Sequence, residues 1–251
     1  MRGRFGLDMF LRFAYPPNSL GYCGPSDPQL LLEVVNGGKD AADEIRHLAP
    51  AFAGAWPYLQ LIGLSARLDP LDARVVEAYW IGNPLLDRVD LLEMGNSVDD
   101  RFRRRAGWDW DQVAGALIGG GRPTHSFHVF CIYPWVGLLR AGTGDRALEV
   151  LDRCRVRWGA VVGEADGSLL VESSPLVWDG RRLDVGPTRV EAVSPPLGAG
   201  EIGVGDLVAM HWDFVCQRIT SRQEQELHRY HELHLAIANS SPAMVGSKLE
   251  R

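Results

Sequence analysis

Two short stretches in the second half of the chain carry residue types that bind metals. Cys154-Arg155-Val156-Arg157-Trp158-Gly159-Ala160-Val161-Val162 opens on a thiol among arginines, and Val204-Gly205-Asp206-Leu207-Val208-Ala209-Met210-His211-Trp212-Asp213-Phe214 carries an apolar run to an imidazole. A thiolate is a soft metal ligand, and a nearby imidazole can assist by hydrogen bonding or ligation. Arg153, Arg155 and Arg157 flank the cysteine, and cations close to a thiol favour its thiolate. On a strand, however, Arg155 and Arg157 share one face while Cys154 and Val156 share the other. The structural alternatives are a half-buried residue at a strand start for Cys154 and a satisfied core histidine for His211.

A second constellation is His125-Ser126-Phe127-His128-Val129-Phe130-Cys131, with two imidazoles and a thiol at steps of three. On a helix these lie within about 120° of one another, which a metal site tolerates; on a strand His125 and His128 point to opposite faces. Cys23, in Tyr22-Cys23-Gly24-Pro25-Ser26-Asp27, is a candidate fourth ligand. The structural alternative makes Phe127, Val129, Phe130, Ile132, Tyr133 and Trp135 core, with the polar residues as passengers. A third series, His228, His231 and His234, is interleaved with Leu227, Tyr230, Leu235 and Ile237, so at least one imidazole is expected to face the core. Arg101, Arg103, Arg104 and Arg105 lie beside Trp108 and Trp110 and are flanked by Asp99, Asp100, Asp109 and Asp111. That composition reads as a solvated ion-pair surface, or as a docking patch for an acidic partner. Gly119-Gly120-Gly121 follows a helix and lacks the strand before it and the lysine after it that a phosphate loop needs. With no nucleophile elbow, HExxH motif or paired carboxylates, the chain reads as a binding protein rather than an enzyme.

The elements that must position these residues can be read from composition and period. The chain has 251 residues, 46% hydrophobic and 23% charged, with a formal charge of −6, which excludes disorder and gives no nucleic-acid footprint. No apolar run approaches the roughly 20 residues of a membrane span, and the basic N-terminus lacks a signal-peptide pattern, so a cytoplasmic location is expected. Four cysteines spaced far apart are expected to be reduced thiols. Helices are expected at Gln29 to Val35, in pieces of Ala41 to Leu68 broken by Pro50 and Pro57, after Asp69-Pro70 through Trp80, at Asp109 to Ile118 and at Asp145 to Arg153. His125 to Leu139 is the most apolar stretch. After Asp152 the pattern changes to alternating β-branched runs. Strands are expected at Arg155 to Glu164, Leu169 to Trp178, Arg181 to Val185, Thr188 to Val193 and Asp206 to Arg218. Five short strands suggest a closed or nearly closed barrel, since an open sheet of this size leaves exposed edges. Ser221-Arg222-Gln223-Glu224 has the spacing of a capping box for a helix reaching Ala238. The expected fold is α+β: a helical N-terminal domain over residues 1–150, then a small OB-like β-barrel with a C-terminal helix over residues 151–251.

The order of motifs in residues 152 to 238 resembles the HypC family of small chaperones for nickel-iron hydrogenase maturation. Cys154 falls on the family cysteine, Gly159 on its glycine, Val161 on its valine, Gly205-Asp206 on its Gly-Asp, His211 on its histidine and Phe214 near its aromatic. Trp158 stands where the family has proline, and Cys154 is internal where the family cysteine is N-terminal. The resemblance implies an accessory protein in which Cys154 and His211, with Trp158, Gly159 and Asp206 around them, bind an iron-cyanide-carbonyl group transiently. Its implied partner is the hydrogenase large-subunit precursor or another maturation factor. Phe13-Ala14-Tyr15-Pro16-Pro17-Asn18, Gly21-Tyr22-Cys23-Gly24-Pro25 and His125-Ser126-Phe127-His128 are similar to an uncharacterised actinobacterial family found near nickel-iron hydrogenase genes. Two alternatives stand beside this: a redox protein or metalloenzyme using Cys23, His125, His128 and Cys131, and a non-catalytic interaction module.

Overall fold

Prolines and capping carboxylates cut the first part of the chain into helices. The computed structural model describes residues 2–35, 41–103, 110–142, 144–198 and 201–240. Among the described residues ten α-helices precede the strands: α1 (Arg2–Ser19), α2 (Gln29–Val35), α3 (Ala41–Leu48), α4 (Trp56–Ala66), α5 (Ala73–Trp80), α6 (Leu91–Phe102), α7 (Trp110–Ile118), α8 (His125–Phe127), α9 (Trp135–Arg140) and α10 (Gly144–Cys154). Asp72 starts α5 by accepting from the Arg74 amide at 3.0 Å, and Asp90 starts α6 by accepting from Leu92 and Glu93 at 2.8 and 3.1 Å. Side-chain oxygens at these positions satisfy amides that a first helical turn leaves free. A π-helix, His128–Ile132, sits between α8 and α9. The turn Asn36-Gly37-Gly38, the residues Arg104, Arg105, Trp108 and Asp109, and the final ten residues lie outside the described segments. Arg103 pairs with Asp99 and Asp100 at 3.0 and 2.7 Å on an exposed surface.

The first helix carries no strong sequence signal, yet it is central. Its Leu7, Phe10, Phe13 and Ala14 are buried; Phe13 stacks on Trp80 of α5 with ring centroids 5.1 Å apart, and Phe10 meets Phe52 edge-on at 5.3 Å.

The strands are β1 (Arg157–Ala165), β2 (Ser168–Ser173), β3 (Leu176–Trp178), β4 (Leu183–Val185), β5 (Arg189–Val193), β6 (Leu207–His211) and β7 (Phe214–Arg218). They form an antiparallel sheet in the order β5-β2-β1-β6-β7 and a separate β3–β4 hairpin. The expected strand Leu169 to Trp178 is two strands, because Pro175 has no amide to continue the ladder. The expected strand Asp206 to Arg218 is a hairpin that turns at Trp212-Asp213. Val161, Leu169, Val171, Val193, Val208, Met210 and Val215 make a small core of their own. The α+β class and the order of helices, sheet and C-terminal helix match the sequence expectation, whereas the barrel does not close. Among the described residues the sheet edges meet at the single parallel bridge Ser194↔Phe214. Pro195 and Pro196 follow at once, and neither can donate a further ladder bond.

The major core takes side chains from both parts of the chain, from Leu7 through Leu151 and Cys154 to Ala209, Cys216 and Ile237. The last helix, α11 (Ser221–Ser240), packs against the π-helix and β4. Its N-terminal box is Thr220 with Gln223, one residue earlier than the expected Ser221 with Glu224: the Gln223 amide donates to Thr220 Oγ1 at 3.3 Å, and the Thr220 amide to Gln223 Oε1 at 2.9 Å. Both pairs satisfy the same spacing, so the sequence alone is ambiguous here. No described helix is long and apolar enough to cross a membrane.

Candidate metal centre

Three buried side chains from distant parts of the chain converge: His125 of α8, Cys154 of α10 and His211 of β6 bring ligand atoms within 4.8 Å of one another. Among the described residues this is the group of histidine, cysteine or carboxylate side chains placed to share an ion.

Each is fixed by backbone chemistry. Thr124 caps α8 by accepting from the Phe127 amide at 3.2 Å, which sets the turn carrying His125. Cys154 is the last residue of α10 rather than the first of a strand, a correction to the sequence expectation. Its carbonyl is 2.7 Å from His125 Nε2. A carbonyl only accepts, so Nε2 carries the proton and Nδ1 keeps its lone pair, 3.2 Å from the Tyr79 hydroxyl oxygen. The Tyr79 hydroxyl donates its proton to the Gly54 carbonyl at 3.0 Å. His211 ends β6 and donates from Nδ1 to the Phe13 carbonyl of α1 at 2.6 Å. Its Nε2 is buried and has no hydrogen-bond partner. An imidazole oriented through one nitrogen by a backbone carbonyl, with the other bare, is the usual presentation of a metal ligand. The Trp80 ring packs on both imidazoles, 4.5 Å from His125 and 5.2 Å from His211 between centroids.

Burial dominates the electrostatics. It pushes the Cys154 thiol up, with a further push from Cys23, and holds His125 down at about 4. Burial and the neighbouring His125 lower His211 well below its ordinary value. The arginines do not produce a thiolate as expected, because each is engaged by a carboxylate: Arg153 with Asp213 at 2.9 Å, Arg155 with Asp152 at 2.9 Å, and Arg157 with Glu191. Two neutral imidazoles and a thiol suit a borderline divalent ion that displaces the thiol proton on binding.

The other sequence candidates lie elsewhere. His128 Nδ1 meets the Tyr58 hydroxyl at 3.2 Å, and the Cys131 thiol lies 3.9 Å from the His234 carbonyl against α11; neither belongs to the converging group. Trp158 packs on His228 and His231, with centroids 4.7 and 5.6 Å away. Gly159 faces the Glu172 carbonyl of β2, which leaves no room for a side chain. Asp206 pairs with Arg218 at 2.8 Å and accepts from the Gly203 amide at 3.0 Å. Tyr79, Trp80 and the Phe13 carbonyl are site components that sequence reasoning had placed only in the core or not at all. A backbone signal does mark the neighbourhood: Trp212, next to His211, has φ 53°, a conformation costly for a bulky residue and often kept at functional sites.

The His228, His231 and His234 series divides as its interleaving suggests, with His228 exposed and the other two buried. His234 accepts from the Arg122 amide at 3.2 Å, and burial holds it down at about 3. The unfolded chain takes up a proton near pH 6.5, whereas the folded chain does so only near pH 3. Stability contributed by neutral His234 is therefore complete above that window and falls as pH drops through it, by about 1.4 kcal/mol per pH unit. Urea unfolding between pH 6.5 and 5 carries this contribution together with those of His125, His211 and His231, which burial also lowers, and His234→Gln, which keeps an acceptor for Arg122, should reduce the slope by about 1.4 kcal/mol per pH unit. Equal slopes in the two proteins would exclude His234 as a source.

No curated protein and no solved structure matches this chain. A family model does match, over residues 2–244, a span that contains every residue of the converging group: the chain belongs to DUF6390, a family of unknown function.

Proposed function

We propose that the protein is an accessory protein of nickel-iron hydrogenase maturation, and that it holds an iron-cyanide-carbonyl group, its cargo, at Cys154 and His211. The observation that carries this reading is the convergence of those two side chains, the pair marked by the resemblance to HypC, within 4.8 Å. Cys154 would supply a soft thiolate to the iron, and His211, aimed by the Phe13 carbonyl, a nitrogen ligand or a hydrogen bond. All three side chains are buried, which suits holding a group away from water and oxidants. The cognate partner in this reading is the large-subunit precursor or a maturation factor.

The test is anaerobic purification from a hydrogenase-producing host, with infrared spectroscopy for cyanide and carbonyl stretches and identification of co-purifying proteins. The expected result is both the bands and a hydrogenase or maturation protein, each lost in Cys154→Ala. Wild-type protein with neither overturns the proposal. The third ligand, His125, favours a second reading in which the same side chains hold a resident ion.

A further inference from the structure

The loop after α1 carries Cys23 towards the converging side chains. Asn18 Nδ2 donates to the carbonyls of Cys23 and Pro25, both at 2.8 Å, and so clamps the loop from both sides of Gly24. Gly24 has φ +89°, and a side chain there would meet the Phe52 ring at 2.4 Å, so the loop is seated against the core. Tyr22 packs on Trp212 with ring centroids 4.4 Å apart. Trp212 follows His211 directly, and its amide donates to the Arg153 carbonyl at 2.9 Å, beside Cys154. Cys23 is thus tied through its neighbours to two members of the group. It is half-buried, packs on the same core, and acts electrostatically on both Cys154 and Tyr79.

We propose that Cys23 is a fourth ligand, completing a Cys2His2 set with Cys154, His125 and His211 for a borderline divalent d-block ion. The proposal rests on the reading that the three buried residues bind metal. One observation beside the convergence points to a ligand, and the proposed donor set fits it. The His211 Nε2, on a residue only 1% exposed, has no partner, and a pair of thiols with a pair of imidazoles is a donor set matched to tetrahedral zinc-type coordination. Cys23 stands outside the 4.8 Å group as the structure places it; a change of χ1 between staggered wells moves a sulfur by about 3 Å, which lets the side chain close on an ion while its clamped backbone stays still. Each thiol enters as a thiolate and gives its proton to solvent. No redox step is involved.

Cobalt(II) titration of the full-length reduced protein, followed by visible and near-ultraviolet absorption, tests this. Wild-type protein should bind one cobalt with tetrahedral ligand-field bands and a thiolate-to-cobalt charge-transfer band. Cys23→Ser should bind more weakly, by more than roughly tenfold, with the charge-transfer intensity about halved. Cys131→Ser and Cys216→Ser should match wild type, and circular dichroism verifies that each variant is folded. Undiminished charge-transfer intensity and affinity in Cys23→Ser would overturn the fourth ligand and leave the three-residue site standing. Wild-type protein that binds no cobalt would overturn both.

Discussion

Asp152→Ala should destabilise the protein by about 3–5 kcal/mol, the range for removing one partner of a buried ion pair. Asp152 and Arg155 are only 7% and 3% exposed. Asp152 Oδ1 accepts from Arg155 Nε at 3.0 Å, from its terminal nitrogen at 2.9 Å and from the Leu176 amide at 2.8 Å. The alanine variant leaves a guanidinium without its counter-charge and an amide without its acceptor. Arg155 keeps the Ser174 carbonyl at 2.5 Å and the His231 ring nitrogen at 3.3 Å, neither of which carries a compensating charge. Asp152→Asn retains an acceptor for Leu176 and should lose less. Urea unfolding decides the matter, and a loss below about 1 kcal/mol for Asp152→Ala would mean that water or rearrangement compensates the charge. Because Asp152 lies in the last turn of α10, the same variant should also weaken cobalt binding at Cys154.

Gly159→Ala should be the most damaging single methyl addition in β1. The added Cβ would sit 2.0 Å from the Glu172 carbonyl oxygen and 3.0 Å from Val171 Cγ1. The nearest obstacle is backbone, so β1 and β2 would have to separate. Overpacking of this kind costs about 1–3 kcal/mol and sometimes more. Gly163→Ala, on the same strand, meets only the Leu170 side chain at 3.4 Å and provides the control. Thermal unfolding should show a clear drop for the first and little change for the second. Equal midpoints would refute the close approach at Gly159. This glycine is the position that matches the HypC glycine, and its requirement here comes from strand packing.

The helical part was largely legible because its boundaries are written in local chemistry. Gln29–Val35 has the expected bounds, and Asp72, Asn83 and Thr124 act through their own side-chain oxygens on amides two or three residues ahead. The first helix was not legible: Pro16 and Pro17 stand in its last turns and imitate a breaker, while its helical packing is decided by Trp80 and Phe52, far along the chain. The barrel expectation failed on a related point, since closure depended on whether the chain beyond Ser194 could donate hydrogen bonds.

The candidate site was legible in pieces that were grouped wrongly. Cys154 and His211 stood out through their surroundings, whereas His125 was grouped with His128 and Cys131 because sequence proximity was the only available measure of distance. The structure takes His125 from one set and Cys154 with His211 from the other. Nothing local to Tyr79 or Trp80 distinguishes a residue that touches an imidazole from one that fills a core; that difference arises only when α5 packs beside α8.

The π-helix after His125 gives the chain a tolerance in length. Its wide turn, closed by the Tyr133 amide donating to the His128 carbonyl at 2.9 Å, is in effect an α-helix with one surplus residue. Deleting any one residue of 128–132 would restore ordinary helical bonding and keep the segment apolar. A wide turn of five residues covers about the same rotation as an ordinary turn of four, so His125 would still face Cys154 and His211. Within the family, a chain one residue shorter at this point would therefore keep both the fold and this imidazole, so relatives that share the site are recognised by the histidine itself and not by the residue count that follows it.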